Sequence, residues 1–207
     1  MNRRQFFARG TVGVLGVGAL LGALHVTKSG PPALLTPEMK RRGLLRPPGS
    51  LTDEAEFLAH CIRCQRCSQV CEADAIRLFG PGGGRHEDTP YVVAEQSACS
   101  LCLECGRACP TGAIEELTEK TQARMGTAVV DEQLCVSHNG TGICGACFTV
   151  CPLRGKAITQ GRRNRPTVIS DVCVGCGMCE EVCIVAHAKA IRVHSRRTEW
   201  AREGGGL

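Results

Sequence analysis

Apolar residues in this chain come as one long run and many short ones. The long run, Thr11 to Val26, is glycine-rich and weakly hydrophobic. At about 16 residues it falls short of the roughly 20 that span a bilayer comfortably. A stable transmembrane helix is therefore the poorer reading. After residue 50 the pattern changes to brief apolar stretches suited to short strands. Tyr91-Val92-Val93, Ala128-Val129-Val130 and Thr167-Val168-Ile169 each precede a cysteine-rich loop. Ala75-Ile76-Arg77-Leu78, Ala113-Ile114, Ala157-Ile158-Thr159 and Ala190-Ile191-Arg192-Val193 follow such loops at similar offsets. Asp53 to His60 reads as a short helix leading into the first loop. The predicted unit is strand, cysteine loop, one or two helical turns, strand, and it recurs four times.

The loops carry all 16 cysteines. They are Cys61, Cys64, Cys67, Cys71; Cys99, Cys102, Cys105, Cys109; Cys135, Cys144, Cys147, Cys151; and Cys173, Cys176, Cys179, Cys183. Groups one, two and four keep the C-x2-C-x2-C-x3-C spacing, and group three widens its first gap with Val136 to Ile143. Three cysteines at this spacing wrap one [4Fe-4S] cube, while the fourth starts a helix leading away and in two-cluster ferredoxins ligates the neighbouring cube. Pairing adjacent groups gives four crossed sets: Cys61, Cys64, Cys67 with Cys109; Cys99, Cys102, Cys105 with Cys71; Cys135, Cys144, Cys147 with Cys183; and Cys173, Cys176, Cys179 with Cys151. A nested pairing, group one with four and two with three, fits the spacing as well. Structural zinc favours separated C-x2-C pairs and has no use for this repeat. Clustered near neighbours also make a poor disulfide framework.

Composition supports an inorganic framework. Aromatic residues are 3% of 207 residues, so a core of side chains alone would be thin. Crossed ligation would tie each half of a module to the other, and the apo-protein should unfold. The formal charge of +5 does not indicate a nucleic-acid binder: Arg3, Arg4, Arg9 and Lys28 lie in the first thirty residues without an acidic partner, leaving 21 basic against 20 acidic side chains. Four clusters, each roughly −2 with its thiolates, would make the loaded protein acidic. Only Arg162, Arg163, Arg165 and Arg192, Arg196, Arg197 are dense enough to suggest docking patches.

Asn2-Arg3-Arg4-Gln5-Phe6-Phe7, the apolar run and Lys28 have the order of a twin-arginine (Tat) export signal, whether cleaved or kept as an anchor. That route accepts folded cargo, which suits clusters inserted before export. The glycines of Gly13 to Gly22 lack the strand and spacing of a dinucleotide site. The fold expected is α+β and loop-rich: signal 1–30, Pro-rich linker 31–50, two tandem bacterial 2[4Fe-4S] ferredoxin-like modules at 51–120 and 121–198, and a flexible tail 199–207. No substrate pocket is expected, which argues for an electron-transfer subunit and not an enzyme. His138 and Asn139 read as surface loop, His60 likewise, and Trp200 as a packing residue. Gly106, Gly145, Gly175 and Gly177 would let backbone amides approach the sulfurs or make tight turns. Pro110 and Pro152 follow groups two and three, where Glu72 and Ile184 follow one and four.

The chain resembles the NapG/MauM family of periplasmic ferredoxin-type proteins. The resemblance is carried by Arg46-Pro47-Pro48-Gly49, Thr89-Pro90-Tyr91-Val92-Val93-Ala94, Ala123-Arg124-Met125-Gly126, the widened third group and a fourth group without its proline. It implies a periplasmic protein, associated with the membrane through its partner or an uncleaved signal, beside a quinol dehydrogenase subunit of the NapH or MauN kind. Electrons would pass from quinol to a periplasmic cytochrome c or a nitrate-reductase-type enzyme. The MauM branch implies instead an electron-transfer or maturation role in methylamine utilisation.

Overall fold

The first described helix, Glu54–His60, begins where Asp53 accepts a hydrogen bond from the Glu56 amide at 2.6 Å. Two glutamates in its first turn complement the helix dipole, and the chain turns extended at Cys61. This computed structural model describes residues 45–186 and 188–197. The expected signal, linker residues 31–44 and the tail with Trp200 lie outside the described residues. Among those described, no helix is long and apolar enough to cross a membrane.

Secondary structure elsewhere is as brief as the apolar runs that produce it. Strands β1 (Ile76–Leu78) and β2 (Pro90–Val92) pair antiparallel, with Ile76 opposite Val92. Strand β3 (Gly126–Val130) pairs with β6 (Ile191–Ser195), and β4 (Ile158–Gln160) with β5 (Pro166–Val168). The second half thus has two ribbons enclosing groups three and four. In the first half one of the two ribbons shrinks to a bridge: Ser50 pairs with Ile114, flanked by Leu51 N–H to Ala113 O at 3.1 Å and Glu115 N–H to Gly49 O at 2.8 Å.

That bridge moves residues 45–50 out of the linker to which their prolines assigned them. Leu45 pairs with Val92, and Arg46 is 1% exposed. Prolines tolerate this position because the stretch lies at a sheet edge, where few backbone donors are required.

The halves share one apolar core, which runs from Leu45, Phe57 and Ile76 through Ile114 and Met125 to Ile158, Ile191 and Val193, with cysteines packed against it. They also meet backbone to backbone, where Cys99 N–H donates to Cys176 O at 2.9 Å. The described residues all belong to one compact unit.

Candidate metal centres

Three of the four cysteine loops are bent by paired left-handed residues. In group one these are Arg63 (φ 57°) and Gln65 (φ 61°), in group two Leu101 (57°) and Leu103 (67°), and in group four Gly175 (72°) and Gly177 (89°). They occupy equivalent places, just before and just after the second cysteine. Only the last pair is glycine, so groups one and two hold side chains where L-residues lose roughly 1–2 kcal/mol each. The bend that points three thiols inward recurs without a common residue type. In group three, where the spacing differs, Val136–Asn139 forms a helical turn ended by Gly140 (φ 85°). Ser137 ties that turn to the next ligand position: its hydroxyl donates to Cys144 O at 3.1 Å and accepts from Cys144 N–H at 2.9 Å.

Four cavities result, and each is lined by one crossed set. Site A is lined by Cys61, Cys64, Cys67 and Cys109. Site B has Cys71, Cys99, Cys102 and Cys105. Site C has Cys151, Cys173, Cys176 and Cys179. Site D has Cys135, Cys144, Cys147 and Cys183. The nested alternative, which would join group one to four and two to three, is not the arrangement found.

The donor chemistry fits a polynuclear iron-sulfur group. All sixteen cysteines are free thiols. No histidine lines any of the four cavities, and Asp88, at A, is the one carboxylate that does. Among the described residues no three Cys, His, Asp or Glu side chains converge as a single ion would require. Thiols are instead spread in fours around the rims of shared hollows. Backbone amides already point at sulfur: Ala75 to Cys71, Leu101 to Cys99, Ile114 to Cys109 and Ala128 to Cys173, each at 3.4 Å. Such bonds stabilise thiolate and help set cluster potentials.

Burial pushes most of the resolved thiols up, to about 11 for Cys67, Cys147 and Cys176 and about 12 for Cys99 and Cys105, with neighbouring cysteines adding to the rise. Thiols so raised are protonated at neutral pH, so metal uptake must release protons. Cys109 goes the other way: burial raises it, but the Ile114, Thr111 and Gly112 amides and the Thr111 hydroxyl bring it below its ordinary value.

Shared loops order the sites. Groups one and two both contribute to A and B, and groups three and four both contribute to C and D. The hydrogen bond from Cys99 N–H to Cys176 O, 2.9 Å, brings B beside C. The order of neighbours is A, B, C, D, so group four lies inside and group three at the end.

The joint role of three residues beside site A escaped the sequence reading. Arg46 and Arg197 both bind the carboxylate of Glu54, which is 2% exposed, Arg197 at 2.9 Å. The two guanidiniums lie over the Phe57 ring, 4.4 and 5.6 Å from its centroid. Arg46 also donates to Thr89 Oγ1 at 2.9 Å, and His86 Nδ1 is 3.4 Å from Glu54. Arg197 further donates to the carbonyls of Ser50 and Leu51. The suggested patch of Arg192, Arg196 and Arg197 is therefore corrected: Arg197 turns inward, and Arg196 is engaged by Thr127, Ser170 and Cys173. His138 departs from a plain surface loop as well, lying half-buried 3.0 Å from Pro166 O.

The comparisons agree with this chemistry. A family pattern described as a 4Fe-4S dicluster domain matches residues 60–113 and again 98–154. The chain is 37% identical over 210 aligned positions to ferredoxin-type protein NapG of Haemophilus influenzae, covering 93% of this chain and 71% of that one. It is 38% identical to the methylamine utilization ferredoxin-type protein MauM of Methylobacillus flagellatus, over 94% and 84% of the two chains. With NapG of Escherichia coli it shares 36% identity over 89% and 82%.

Proposed function

The chain belongs to the family of ferredoxin-type proteins that includes NapG and MauM, and from that premise we propose that its four cysteine quartets hold four [4Fe-4S] clusters in a row and that it carries electrons between a membrane partner and an acceptor outside the inner membrane. The observation that carries this reading is that each of the four cavities is lined by one crossed quartet of cysteines. When bound, such clusters supply one-electron exchange at iron. The protein's part is to fix the thiols, aim amides at sulfur and keep the sites adjacent.

The donor fitting this role is a quinol dehydrogenase subunit of the NapH or MauN type, and the acceptor a periplasmic cytochrome c or nitrate-reductase-type enzyme. Similar identity to MauM supports a second reading, an electron-transfer or maturation role in methylamine utilisation. Arg3 and Arg4 would direct export after the clusters are in place. Fractionation of the Arg3→Lys, Arg4→Lys variant should then find the protein retained inside the cell.

Anaerobically purified protein should carry about 16 iron atoms per chain and a brown colour bleached by dithionite. Cys71→Ala should disturb the same paramagnetic signal as Cys102→Ala, because both line site B. Far less iron, or no bleaching, overturns the cluster reading. A Cys71 variant that instead alters the signal lost with Cys176→Ala overturns the crossed assignment alone.

A further inference from the structure

The basic turn at Arg162, Arg163 and Arg165 has no part in holding metal. It connects β4 to β5 and rests on the widened loop of group three. The Arg163 guanidinium donates to Gly140 O at 3.1 Å and Arg165 Nε to Ser137 O at 3.3 Å. All three arginines are exposed, and among the described residues none is in a salt bridge with a carboxylate.

Beside this turn is site D, at the end of the row. Ile143, 68% exposed, precedes its ligand-position Cys144, and Ile184, 63% exposed, follows Cys183 and lines the cavity. An apolar rim and three guanidiniums without acidic partners thus surround one terminal centre. The opposite end differs. Ile62 is 61% exposed at site A, but the carboxylate of Asp88 lines that cavity, whereas no carboxylate lines site D.

We propose, resting on the electron-carrier reading above, that the face formed by Ile143, Ile184 and the Arg162–Arg165 turn is the docking surface for a one-electron carrier protein whose contact face is acidic around an exposed apolar spot. Opposite charge steers such a partner to the end of the row. The apolar rim then excludes water where the two redox centres must come close. An anionic lipid surface would satisfy the arginines but brings no redox centre to site D, so a protein fits the position of this patch better.

The test uses the loaded full-length protein and a purified acidic c-type cytochrome as probe. Arg162→Glu with Arg163→Glu should weaken cytochrome binding at least tenfold and abolish most of its salt dependence, and Ile143→Asp should weaken it too. Iron content and dithionite bleaching stay unchanged in both. Dithionite-reduced protein gives one electron to ferric haem iron, which becomes ferrous, and the second-order rate should fall by the same factor. Arg66→Glu, at the other end, should leave both binding and rate as they were.

Unchanged binding in the double variant, an equal loss with Arg66→Glu, or wild-type binding to phosphatidylglycerol vesicles but not to the cytochrome would overturn the docking surface. Absence of dithionite bleaching in the unaltered protein would remove the electron-carrier reading and this proposal with it. Bleaching with unaltered binding in the double variant removes the docking surface alone.

Discussion

Glu54 holds one buried and one partly buried arginine from opposite ends of the described chain, and no feature of its neighbourhood in sequence announces that role. A glutamate in the first turn of a helix reads as a dipole partner. Its second function exists only because residues 46 and 197 arrive there. Burial alone would raise its carboxyl, but hydrogen bonds from His86 and Arg46 and the charges of Arg46 and Arg197 bring it down to about 2. Removing one partner of a buried pair leaves the others unpaired, so Glu54→Gln should cost about 3–5 kcal/mol in urea unfolding followed by visible absorbance. The pH dependence has a definite sign. A carboxyl lower in the folded state stabilises fully above its unfolded value near 4.5 and loses that contribution as pH falls toward 2. Stability measured across this window should fall more steeply in the native protein than in the Gln variant.

Among the elements, the cysteine loops show what spacing can and cannot convey. The x2 gaps predict a tight wrap, and the left-handed residues flanking each second cysteine provide it in groups one, two and four. Group three was legible as a variant, but not as a helical turn pinned by a serine. Ser137 is 1% exposed and satisfies both backbone groups of Cys144. Ser137→Ala leaves those groups without their partner at a cost of about 1–3 kcal/mol. The expected outcome is faster loss of about four of the sixteen iron atoms to a chelator, those of site D, with the rest released at the native rate. Glu180 plays a similar part for group four, accepting the Val193 amide at 2.7 Å and fastening its short helix to β6.

At the scale of the whole molecule, the junction between halves depends on Gly177, just after Cys176. A Cβ there would lie 2.4 Å from Ala94 Cβ, and its φ is 89°. Close approach of the two halves, more than room for an amide near sulfur, requires glycine here. Gly175, with φ 72°, serves packing within the second half, where its Cβ would lie 2.4 Å from Gly126 N. Gly177→Ala should cost at least about 2 kcal/mol from backbone strain and overlap together. Gly142→Ala, whose Cβ would meet Val136 at 3.6 Å, should change stability by less than about 1 kcal/mol in the same denaturation assay.

The sequence by itself determined the sixteen thiols, the four loops, the strands beside them and the class of inorganic group they suit, because those follow from local spacing and short apolar runs. It left the partnering of groups open: the dicluster pattern matches groups one and two together and also groups two and three. Tertiary packing alone decided that one joins two and three joins four, that group four lies inside the row, and that Arg46, Glu54 and Arg197 share one buried site. The physical reason is distance along the chain. Thiols from different loops and charges 143 residues apart meet only once the ribbons and the glycine junction have closed.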